Sequence, residues 1–138
     1  MPAAVHQGLA WAPDYDPPAA LRLAVALAPW WVVRGRWIQG VGLLRRAIEQ
    51  AGPGAGARYT AHVWLGYLAR GTLDYELALR HYSTVVAALG DGPPSTSLVD
   101  GLIGRCAVLR NTSDLEHATA DASWRSSCHR SASFIGVA

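Results

Sequence analysis

Three turn-like segments, Arg36-Trp37, Asp74-Tyr75 and Asp114-Leu115, recur at near-equal intervals along the chain, each between two stretches of helical periodicity. The first interval is the step from position 36 to position 74, and the second, from 74 to 114, is slightly longer. Such a recurrence confines the chain to architectures in which each supersecondary unit buries its apolar face against its neighbours. Shortly after each pair, at the same offset, stands a small residue, Gly40, Ala78 or Ala118, and one helical turn further on stands Leu44, Tyr82 or Ala122. Steps of three and four positions trace one face of a helix. The preceding stretches agree: Leu21, Ala24, Leu27, Ala28 and Trp31 form one stripe, Ala61, Trp64, Leu65 and Leu68 a second, and Leu98, Leu102, Cys106 and Leu109 a third. Each unit is predicted to be a helix, a tight turn and a second helix, with units at 18–51, 57–89 and 97–127.

The punctuation fits these boundaries. Asp16-Pro17-Pro18 supplies an N-cap and prolines in a first turn, where the missing N–H costs nothing. The Gly-Pro clusters at 51–54 and 90–94 end the second helices of units one and two. Ser113-Asp114-Leu115-Glu116 has capping-box spacing, and Ser97 with Asp100 is a weaker version. Helices are expected at about 3–12, 18–34, 38–51, 57–70, 75–89, 97–110 and 115–127, with no strand. The expected fold is all-α: an antiparallel helix-pair solenoid of about three units over 1–127, counting a short N-terminal helix, followed by a poorly patterned tail over 128–138.

Composition narrows the function. Ala, Leu and Val dominate the 51% of hydrophobic residues, and charged residues are only 16%. That suits helices covered by one another rather than by solvent. Every basic residue is Arg, and a net charge of +2 is too weak to argue for a phosphate-binding face; a nucleic-acid binder would need the arginines to form one contiguous face, and no direct nucleic-acid contact is expected. The apolar run at 19–33 is broken by Arg22 and Pro29 and is too short to span a bilayer; no membrane role and no secretory signal are expected. Two cysteines without a paired motif suit a reduced, cytoplasmic setting.

Unit two carries Trp64-Leu65-Gly66-Tyr67, then Asp74-Tyr75 with Ala78 and Tyr82 at the offsets above. This resembles the tetratricopeptide-type helical repeat, with Leu73 standing where that family places a glycine before the turn. A wider stretch, through Trp11, Leu21-Arg22-Leu23-Ala24, Trp30-Trp31, Arg34-Gly35, Gly40 and Leu44, resembles the start of the repeat arm in actinobacterial LuxR/MalT-like signal-transduction ATPase regulators. The resemblance implies a non-catalytic interaction or regulatory arm, a fragment or truncated relative of such a regulator. Its partner would be a protein or peptide, with a nucleotide-binding regulator domain among the candidates. A chain without Lys has no phosphate-loop motif of its own. Alternatives are an inducer-sensing module with an aromatic pocket near Trp30, Trp31 and Trp64, and a stand-alone tetratricopeptide adaptor. The apolar ends of a short stack also predict self-association.

Chemistry-bearing residues have plainer explanations. Trp31 and Trp37 are expected in the inter-helix core rather than in a ligand cage, and Arg34, Arg36, Arg45 and Arg46 at solvated positions. The histidines lack zinc-helix spacing, and His81 is expected to point outward. Cys106, His117, Cys128 and His129 contain no close Cys-x-x-Cys pair, and Ser126, His129 and Asp121 lack an oxyanion-hole motif. No catalytic residue, metal ligand or cofactor site is assigned. A concave groove lined by the first helix of each unit is expected to expose Arg22, Trp30, His62, Tyr67, Arg70 and Arg105.

Overall fold

The structure, a computed structural model, describes residues 16–117. Every element in this span is helical: α1 (Pro17–Val33), α2 (Trp37–Ala51), α3 (Arg58–Gly71), α4 (Tyr75–Leu89) and α5 (Thr96–His117). The expected helix at 3–12, Ala118, Ala122 and the tail over 128–138 lie outside the described residues.

Asp16 caps α1, its carboxylate accepting from the Ala19 N–H at 3.1 Å, with prolines filling the first turn. Asp74 does the same for α4, accepting from the Leu77 N–H. The hairpin turns are the same turn twice. In the first, the Gly35 N–H donates to the Val32 carbonyl and the Arg36 N–H to the Trp31 carbonyl; at the equivalent places in the second, the Leu73 N–H donates to Arg70 and the Asp74 N–H to Ala69. This is the Schellman pattern, which needs a left-handed residue after the helix. Gly35 has φ 67° and Leu73 φ 63°. The departure of Leu73 from glycine is therefore accommodated as backbone strain, with the geometry unchanged.

Packing fills the hairpins from opposite sides. In α1–α2, Trp31 is fully buried and its ring faces Gly40, where an added Cβ would stand 3.0 Å from the indole. In α3–α4 the large residue sits on the second helix: Tyr82 lies against Gly66, where a Cβ would come within 2.7 Å of the phenol ring. A core of Leu21, Ala24, Ala28, Leu44, Ile48 and Leu65 surrounds Trp31, joining α1, α2 and α3. A smaller cluster of Ala69, Ala78, Tyr82 and Val108 links α3 and α4 to α5.

The third unit departs from expectation. α5 runs unbroken to His117, so the turn placed at Asp114-Leu115 is helical and Leu115 falls inside α5. Its cap is Ser95, whose hydroxyl accepts from the Leu98 N–H at 3.2 Å, rather than Ser97. The stripe through Leu102 and Cys106 is exposed; the buried face is Gly101, Gly104 and Val108. Small residues decide the orientation, because only glycine lets the helix approach Val85 and Tyr82 this closely.

Candidate functional site

A groove of about 610 Å³ opens along one side of the helices. Pro29, Val32 and Val33 of α1 form one wall; Thr60, Val63, Trp64, Tyr67 and Arg70 of α3 form the floor; Asp100, Ile103 and Gly104 of α5 face them. The walls repeat with the sequence. Pro29 and Val32 precede Tyr67 and Arg70 by the same step that separates position 36 from 74, while Thr60, Val63 and Trp64 precede Asp100, Ile103 and Gly104 by the step from 74 to 114. α3 thus shares the C-terminal part of its lining face with α1 and the N-terminal part with α5.

Tyr67 is the centre of the polar and aromatic lining. Trp37 stacks on it at 6.0 Å between ring centroids, Trp64 meets it edge-on at 5.9 Å, and the Arg70 guanidinium lies 5.3 Å from its centroid. Cation–π contact of this kind holds a cation over an aromatic face while leaving its hydrogen-bond donors exposed. Arg70 sits in the last turn of α3, where its charge also complements the helix dipole. Tyr82 closes the floor, and burial pushes its hydroxyl above the ordinary tyrosine range.

Of the six residues expected in the groove, Tyr67 and Arg70 line it. Trp30 is half-buried against the first core, with Arg34 5.8 Å above its ring, and stands outside the lining. Arg22 is exposed on α1 and Arg105 half-buried on α5, both likewise outside it. His62 is a correction: it is 6% exposed and turned away, toward α2 and α4. One step along a helix rotates a side chain by about 100°, so His62 and its groove-lining neighbour Val63 face different sides. Pro29 and Val32, which sequence reasoning missed, stand at the positions in α1 equivalent to Tyr67 and Arg70, and the repeat itself would have found them.

His81 is not outward-facing either. Its Nδ1 lies 2.9 Å from Nδ1 of His62, with the rings 5.1 Å apart. Burial, reinforced by Arg58, lowers the His62 pKa from 6.5 to about 4; burial, then His62, Arg45 and Arg80, lower that of His81 to about 4. Both rings are therefore neutral near pH 7. One donates through Nδ1 and the other accepts, and neither buried Nε2 has a hydrogen-bond partner among the described residues.

Among the described residues no group of three or more His, Cys, Asp or Glu is placed to hold a metal ion. Cys106 is a free, exposed thiol. Cys128, His129, Ser126 and Asp121 lie outside the described residues. No described helix is long and apolar enough to cross a membrane. Trp31 and Leu44 are fully buried, Gly40, Gly66, Ala78 and Tyr82 are buried, and Trp37, Trp64 and Tyr75 are half-buried.

No protein-family model matches the chain, and comparisons with curated proteins and with solved structures gave no match.

Proposed function

We propose that the protein is a non-catalytic interaction module built as a tetratricopeptide-type solenoid, its groove receiving a peptide or helix of a protein partner. The observation that carries this reading is the groove itself, whose three-helix lining follows the intervals of the sequence repeat. Val32, Val63 and Ile103 give apolar seats for alternate turns of a partner helix, while Arg70 and Asp100 offer charges that fix its direction. The sequence resemblance to actinobacterial regulators supports a regulatory arm with a nucleotide-binding regulator domain as one candidate partner, and two cysteines without a paired motif suit a reduced, cytoplasmic setting.

The test is selection of binding peptides from a random library on the full chain, followed by affinity measurement against variants. Val63→Glu and Ile103→Glu are expected to weaken the selected peptides at least about tenfold, the loss of one or two buried apolar contacts. Arg46→Glu, on an exposed position of α2, is expected to leave affinity unchanged. Equal loss in all three variants, or none, would overturn the reading. A groove of about 610 Å³ also lies within the usual range of small-molecule sites, which favours the inducer-sensing alternative as the second reading. Quenching of tryptophan fluorescence by a small apolar ligand, abolished in Val63→Glu, distinguishes it.

A further inference from the structure

Position by position, the second hairpin places His62 and His81 where the first has Ala24 and Leu43. Ala24 is fully buried and Leu43 half-buried in an apolar cluster, so this hairpin architecture is built at that point without polar groups. The histidines occupy it with a single shared hydrogen bond and two orphaned Nε2 atoms. Buried polar groups without partners cost stability, and a pair that replaces a sufficient apolar solution points to a task.

We propose that the His62–His81 contact is an acid-sensitive latch between α3 and α4, and that proton uptake by the pair breaks the Nδ1–Nδ1 hydrogen bond and loosens the second hairpin. The neutral pair has one proton between the two Nδ1 atoms. A first added proton fixes N–H groups at both Nε2 positions, where the described residues offer no acceptor. A second places N–H groups on both Nδ1 atoms, facing each other across 2.9 Å, and the contact must open.

The surroundings favour opening over compensation. Arg45 and Glu49 of α2 and Arg80 of α4 line the small space of about 190 Å³ beside the rings, and Arg58 of α3 acts on His62. Arg80 is held by Glu76 at 3.3 Å, which leaves Glu49 as the carboxylate lining that space; neither α1 nor α5 contributes to the lining. Arg45 and Arg58 against that carboxylate, with Arg80 partly offset by Glu76, oppose charge on the imidazoles. Both histidines bind protons less readily in the folded chain than at the free value of 6.5. Their contribution to stability is thus complete above about pH 6.5 and is lost as the pH falls toward about 4.

His62 adjoins Val63 and His81 adjoins Tyr82, both in the groove lining, so loosening of the hairpin is expected to reach the groove. That extension rests on the peptide-groove reading, whereas the latch itself is read without any ligand. The experiment compares thermal unfolding of the full chain at pH 7 and at pH 3.5, below the values of about 4 at which the folded pair takes up protons, with that of a double variant, His62→Ala with His81→Leu, which imports the residues of the first hairpin. The wild type is expected to lose roughly 10 °C more in midpoint than the variant across this interval. An equal loss in both overturns the latch. Should the variant fail to fold, histidine side-chain NMR of the wild type decides. Two coupled titrations well below 6.5, accompanied by shifts of α3 and α4 amides, support the latch; independent titrations near 6.5 overturn it. Weaker peptide binding at pH 3.5 with an unchanged midpoint would count against the latch while leaving the groove intact.

Discussion

The hairpins α1–α2 and α3–α4 share a turn, a spacing and a pattern of contact, yet distribute their bulk differently. The first places its largest residue, Trp31, on the leading helix against Gly40; the second places Tyr82 on the following helix against Gly66. With the two turns superposed, Ala28 corresponds to Gly66, Trp31 to Ala69, Gly40 to Ala78 and Leu44 to Tyr82. What is kept between the hairpins is a large side chain over a small one; the helix that supplies it is free to change. Repeat packing is therefore specified by complementary pairs rather than by single positions.

The largest expected effect breaks the first pair. Trp31→Ala should destabilise by about 3–5 kcal/mol in chemical denaturation, the range for truncating a buried aromatic. The indole Nε1–H of Trp31 returns part of that, because it has no acceptor among the described residues where it is buried. In the second pair, Gly66→Ala should cost on the order of 1–3 kcal/mol by driving a methyl into the Tyr82 ring. Adding Tyr82→Leu, which reproduces the Ala28 and Leu44 combination of the first hairpin, should recover part of the loss. Simple additivity of the two substitutions would show that the hairpins are not interchangeable in this way.

The two turns differ by a smaller energy. Leu73→Gly should stabilise by about 1 kcal/mol, since it relieves a left-handed backbone at a side chain that is 71% exposed and packs little. Gly35→Leu should destabilise by a similar amount. Opposite signs of equal size are what one turn used twice requires. The smallest effect is expected from Glu76→Gln, which removes the exposed pair with Arg80 and should cost no more than about 0.5 kcal/mol.

The first two hairpins were legible in the sequence because their signals are local and agree. Aspartates at 16 and 74 cap the helices they precede, Gly and Pro close the helices they follow, and the apolar stripes match the buried faces. α5 was not, because its apolar residues surround the helix rather than forming one face. Its burial is set by Gly101 and Gly104, residues with no side chain to reveal it. The capping-box letters at Ser113 and Glu116 were a local signal overridden by a helix that continues through them. In the groove, Tyr67 and Arg70 were legible from repeat phase. His62 was not, because its partner His81 lies on the next helix and their contact depends on how α3 meets α4.

Mapping a selected peptide onto the chain by amide chemical shifts decides whether the groove is where a partner binds. Perturbations are expected at Val32, Val63, Tyr67, Arg70 and Ile103, one group from each of three helices, with Arg46 and Glu49 unmoved. Shifts centred on α2, with the α3 and α5 positions silent, would contradict binding in the groove.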